Sequence, residues 1–148
     1  MDEPTSPETR TGGCDCGGVR YRIDGPVRQI IHCHCEPCRR ITGNFMAATS
    51  AAVGDVSFEA DAGLSWSERT PQPRSGSCTS CGSLPLGEAT DKAERLSITA
   101  GTLDDASGLQ VELVLFGAEL GEAPGGHGPA RAFGQFQDML DSIAAHVA

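Results

Sequence analysis

The sequence predicts a mainly β, metal-binding domain of antiparallel sheets with an added C-terminal α-helix. Three observations carry that expectation. Short apolar stretches alternate with period two, Gly and Pro separate them at close intervals, and seven cysteines fall into three tight groups.

The elements follow in order. Residues 1–12 are polar and Pro-containing and read as a disordered tail. Residues 19–23, Val-Arg-Tyr-Arg-Ile, alternate apolar and charged positions, as a half-buried strand does. Asp24, Gly25 and Pro26 signal a turn, and 27–33 is expected to return as the second strand of a hairpin. Further strands are expected at 45–53, 56–60, 64–68 (with Trp66), 95–100 and 111–116, and a loop at 71–76. The zinc-binding β domain therefore spans 13–121, with a Gly/Pro-rich linker at 122–129. Over 130–148, Phe133, Phe136, Leu140, Ile143 and Val147 recur at helical spacing. Such a stripe packs on its own sheet or forms a seam between two copies of the chain, a homodimer contact.

Composition narrows the function. A chain of 148 residues with net charge −9 lacks the basic face of a nucleic-acid binder and the cationic patch of a protein that sits on anionic membranes. The first residues show no basic and apolar signal segment, and no apolar run is long enough to span a bilayer. A cytoplasmic location follows as the expectation. In that reducing setting cysteines serve as metal ligands or catalysts more readily than as disulfides.

The cysteine spacing carries the chemistry. Residues two apart on an extended chain share a face, so Cys14 and Cys16 can aim both sulfurs at one point, as can Cys33 and Cys35. Cys78 and Cys81, followed by Gly82, have the spacing of a zinc knuckle. A closed tetrahedral site needs four ligands, and Cys14, Cys16, Cys78 and Cys81 supply them from two distant pairs. Glu36-Pro37 can bend the chain to bring Cys38 back to Cys33 and Cys35. Three ligands leave a position open for water or substrate, so four plus three predicts one structural and one reactive zinc, two per chain. The three-cysteine group has a second reading, a structural zinc closed by His32 or His34. Alternation points both histidines away from the sulfurs.

Four blocks of the chain resemble a known family. They are Gly13-Cys14-Asp15-Cys16-Gly17; Cys33-His34-Cys35-Glu36-Pro37-Cys38-Arg39-Arg40-Ile41-Thr42-Gly43; Cys78-Thr79-Ser80-Cys81-Gly82-Ser83-Leu84; and Gly101-Thr102-Leu103-Asp104-Asp105. They look like the glutathione-dependent formaldehyde-activating enzyme family, which also contains centromere protein V. The resemblance runs from about Gly12 to Phe116. It implies a tent-like antiparallel β fold, a structural zinc at the first and third blocks, and a more labile zinc at Cys33, Cys35 and Cys38. It also implies condensation of glutathione with formaldehyde, the reverse of a carbon–sulfur lyase reaction. On that reading the three cysteines are catalytic as zinc ligands. Arg39, beside them in sequence, is a candidate for binding a carboxylate of the thiol compound, with Arg40 the less favoured neighbour. His32 and His34 are candidate proton carriers. The alternative function is a zinc-stabilised binding module without catalysis.

Overall fold

The computed structural model describes residues 8–69, 72–88 and 94–115. The linker at 122–129, the helix at 130–148 and the homodimer seam on it lie outside the described residues.

Two sheets form the domain. The smaller has the order β1 (Thr9–Gly13), β2 (Arg20–Asp24), β5 (Val56–Ala60), all antiparallel. The larger has β10 (Val111–Leu115), β3 (Ile30–Cys33), β4 (Met46–Ala52), β9 (Arg95–Thr99), β8 (Leu86–Glu88), β7 (Gln72–Cys78) and β6 (Leu64–Arg69). Every neighbour in the larger sheet is antiparallel except β10, which runs parallel to β3. The mainly β architecture expected from the sequence is present.

The hairpin expected between 19–23 and 27–33 is not. β2 pairs with β1 and β5, whereas β3 pairs with β4 and β10. The Asp24-Gly25-Pro26 segment carries the chain from one sheet to the other, and Val27 already bridges to Ala51 of β4. The reason is burial. Tyr21 and Ile23 are fully buried, and they pack with Ala51, Leu86 and Ile98 of the larger sheet. A local hairpin would leave that inner face of β2 without its partner. Each large apolar side chain so buried contributes roughly 1.5–3 kcal/mol.

Three other expectations change. Strand β1 starts at Thr9, inside the segment 1–12 expected to be a tail, and supplies a ladder to β2. The loop expected at 71–76 is strand β7; its register with β6 shifts between Ser67 and Arg69, opposite Pro73, which cannot donate to a ladder. A short helix, α1 (Glu36–Thr42), follows β3 where only a bend was expected. Its signals are in the sequence: a proline in the first turn, Glu36 at the start, Arg39 and Arg40 at the end, and Gly43 in the left-handed region at φ 83°.

Alternation within the larger sheet separates two faces. Thr49, Ala51, Leu96 and Ile98 face the core, together with Leu86. The strand positions between them, among them Ala48, Ser50, Ser97 and Thr99, fall on the opposite face, and a cavity lies there.

Candidate metal centres

Cys14, Cys16, Cys78 and Cys81 come together, with all four sulfurs within 4.8 Å of one another. Cys14 Sγ and Cys16 Sγ are 3.7 Å apart, and Cys16 Sγ and Cys78 Sγ 3.6 Å. Tetrahedral zinc with Zn–S near ~2.3 Å requires sulfur–sulfur edges of about 3.8 Å. The donor set therefore fits such an ion. Backbone turns set the geometry. The Val19 N–H donates to Cys14 Sγ at 3.2 Å, and the Gly82 N–H closes the knuckle on the Cys78 carbonyl at 2.8 Å. Gly82 takes φ 80°, a conformation that favours glycine. Gly63 leaves room for sulfur, since a Cβ there would sit 3.0 Å from Cys78 Sγ.

Electrostatics agree with a cation at the centre. Cys81 Sγ lies 3.3 Å from Ser83 Oγ, and this hydroxyl, with the Ser83 backbone, pulls the Cys81 thiol down to about 5. The Gly18 N–H draws Cys16 the same way, yet the sulfurs of Cys78, Cys14 and Cys81 outweigh it and push Cys16 up to about 12. Four sulfurs this close cannot all ionise without a positive charge among them. A bound metal removes that conflict.

Cys33, Cys35 and Cys38 form the second cluster, again with sulfurs within 4.8 Å. Cys33 ends β3, Cys35 caps α1, and Cys38 lies one turn into it. The Cys38 N–H donates to Cys35 Sγ at 3.4 Å. Burial pushes both Cys33 and Cys38 upward, and neighbouring sulfurs add to it at Cys38. No histidine or carboxylate among the described residues joins either cluster. His32 and His34 pack on Phe45, at ring-centroid distances of 4.4 and 5.1 Å, and His34 is buried. Two cysteine clusters could thus hold metal ions, one with four ligands and one with three.

Arg39 holds the loop beside the cluster. Its Nε donates to the His34 carbonyl at 3.0 Å, which braces the loop carrying Cys33 and Cys35, and it is not among the cavity-lining residues. Arg40 is exposed and pairs with Glu36 at 3.0 Å. The cavity, about 460 Å³, is bordered by all three cysteines of the second cluster and by Pro37, Met46 and Leu115. That volume suits a small-molecule site. Sequence reading missed Arg28, which also lines it. No local signal marked that residue, because its place depends on register with β4.

No helix among the described residues is long and apolar enough to cross a membrane. Comparison with known proteins completes the picture. No curated protein matches the chain. A crystal structure of a Rhodobacter sphaeroides protein is similar in fold, with TM-score 0.54 and 22% identity, covering 77% of this chain and 97% of that one. The family model described as glutathione-dependent formaldehyde-activating enzyme matches residues 9–118, a span holding both sheets and all seven cysteines. The chain belongs to the glutathione-dependent formaldehyde-activating enzyme family.

Proposed function

We propose that the chain is a two-zinc enzyme of the carbon–sulfur lyase type, acting on adducts of a small thiol such as glutathione with an aldehyde. The observation that carries this reading is the position of the three-sulfur cluster. It stands on the wall of a cavity, with one ligand fewer than zinc prefers, whereas the four-sulfur cluster is complete.

In the forward direction a thiol S–H and an aldehyde carbonyl become a hemithioacetal. A sulfur–carbon bond forms, the thiol proton ends on the former carbonyl oxygen, and nothing is oxidised or reduced. Cys33, Cys35 and Cys38 would hold the zinc, which would supply a Lewis-acid position that favours the thiolate form of a thiol. The protein does the positioning. The Cys38 N–H steadies charge on Cys35, and Arg39 fixes the loop through the His34 carbonyl. Met46, Leu84 and Leu115 give the cavity apolar walls, while Ser50, Ser97 and Thr99 give it hydroxyls to orient a polar ligand.

The experiment is exchange spectroscopy on a mixture of glutathione and formaldehyde, with protein whose zinc content is measured in the same sample. Two zincs per chain and faster interconversion of free and adduct thiol are expected. Two zincs with an unchanged rate would leave the alternative, a zinc-stabilised binding module.

A further inference from the structure

The core side of the larger sheet is covered over only part of its width. Ala51, Leu86 and Ile98 meet Tyr21 and Ile23 of the smaller sheet there. Register carries the same side outward. Ala47 and Thr49 precede Ala51 at alternate positions of β4, and Ala47 is opposite His32 of β3. His32 is opposite Val114 of β10, and Ile30 is opposite Val111. Ile30, His32, Val111 and Val114 therefore continue the core side toward the end of the sheet. Among the described residues, neither β3 nor β10 supplies a hydrophobic side chain to the core cluster.

This end of the face is apolar and open to water. Val111 is 47% exposed and Val114 46%. Phe45, just before β4, packs on His32 and His34 and widens the apolar area. Among the described strands β10 is an edge, its only charge is Glu112, and it has neither lysine nor proline. Exposed apolar edges invite association, and proteins commonly blunt or cover them. The opposite face suits a cover less well. Leu113 is opposite Ile31 there and Leu115 lines the cavity, so a cover would close the cavity over the cysteines.

The sequence holds a cover of matching size. As a helix, the stripe from Phe133 to Val147 is about 21 Å long, against about 17 Å for the five residues of β10. The chain leaves β10 at Leu115, and residues 116–132 reach up to about 56 Å when extended, enough to return over the strand. A segment so tethered meets the face at an effective concentration near millimolar, far above that of a second copy in dilute solution. Residues 130–148 lie beyond the span that the family model matches, so that likeness gives them no role.

We infer that residues 130–148 dock as a helix on the core-side face of β3 and β10 of their own chain, with Phe136 and Leu140 laid against Val111 and Val114. The segment completes the layer that the smaller sheet begins, and it backs the strand that ends in Cys33.

The test is hydrogen exchange of the full-length chain, read by mass spectrometry on peptides from 30–34, 111–115 and 130–148, with the assembly state followed by sedimentation. In the monomer, Phe136→Asp combined with Leu140→Asp should speed exchange in 30–34 and 111–115 about tenfold or more, and leave 64–69, at the far end of the sheet, unchanged. Val114→Asp, which spoils the face and not the stripe, should speed exchange in 130–148 by a similar factor. Unchanged exchange in 30–34 and 111–115 once the stripe is spoiled overturns the inference, as does a stripe indifferent to Val114→Asp. Protection of β10 that exists only in a dimer, and is lost on dilution, seats a second copy there and overturns it as well. Should the charged variants fail to fold, Phe136→Ala and Val114→Ala report through the same peptides at smaller amplitude.

Discussion

Cys16 and Cys78 are separated by 62 positions in the chain, and their sulfurs lie 3.6 Å apart. The contact joins the turn after β1 to the end of β7, and so ties the smaller sheet to the larger one. Metal at this point closes a long loop, and its binding energy becomes folding energy.

Cys81→Ser should therefore remove the fold. A structural zinc supplies on the order of 10 kcal/mol, comparable to the whole stability of a domain. The variant is expected to be insoluble, or to show far-ultraviolet dichroism without β structure. A soluble variant with the parent's spectrum and melting temperature would contradict the structural role of this cluster.

Cys38→Ser should behave differently, because Cys33, Cys35 and Cys38 lie on one local loop and helix. That variant should fold, hold about one zinc per chain, and lose activity toward thiol–aldehyde adducts. A chelator added to the parent should likewise release zinc in two phases, the faster one absent from Cys38→Ser. A single phase shared by both proteins would show that the two clusters are not distinct in lability.

Gly12→Ala tests the packing of β1 against Tyr21, a contact that involves no cysteine. A Cβ at Gly12 would lie 2.3 Å from Tyr21 Oη and 2.4 Å from the Thr102 carbonyl. Overpacking of this kind costs about 1–3 kcal/mol, a melting temperature lower by several degrees. Gly54→Ala, where nothing lies within 4 Å, is the control and should melt with the parent. Equal melting of all three proteins would refute the close approach of β1 to Tyr21.

The single tyrosine, Tyr21, offers an optical test. Its hydroxyl lies 2.8 Å from Thr102 Oγ1, and burial pushes the phenol up to about 12. An unfolded tyrosine ionises near ~10. Because the folded value is the higher one, the stability Tyr21 contributes is complete below the unfolded value and is lost as pH rises through the folded one, between about 10 and about 12. Phenolate absorbance should thus appear about two pH units late and coincide with loss of β dichroism. Ionisation near pH 10 with the dichroism intact would show that Tyr21 is accessible to water.

Both cysteine clusters were legible in the sequence, because ligand spacing is a local property. Four plus three also led to the right partners for Cys14 and Cys16. Over the described residues, the strand assignments at 45–53, 56–60, 95–100 and 111–116 hold to within a residue or so, carried by alternation in 95–100, by the Gly54-Asp55 break between 45–53 and 56–60, and by a near-continuous apolar run in 111–116. Partnership between strands was not legible, since alternation in 19–23 and 27–33 says that each has a buried face and not which sheet buries it. Leu86–Glu88 is too short, and too close to Pro85, to show a period. Arg28 was hidden for a related reason: a one-residue slip in pairing with β4 sets its face, and nothing adjacent to it in the chain records that slip.

The parallel pairing of β10 with β3 has a consequence in time. Neighbouring antiparallel strands can zip from a turn, but residues 34–110 must be traversed before β10 can reach β3. Leu115, the last residue of β10, then accepts the His34 N–H at 2.9 Å, between Cys33 and Cys35. A chain emerging from the ribosome can complete its four-sulfur knot once Cys81 is made. The three sulfurs of the second cluster are made early, but the wall beside them must wait for Leu115, so it is among the last of the described parts of the domain to be assembled.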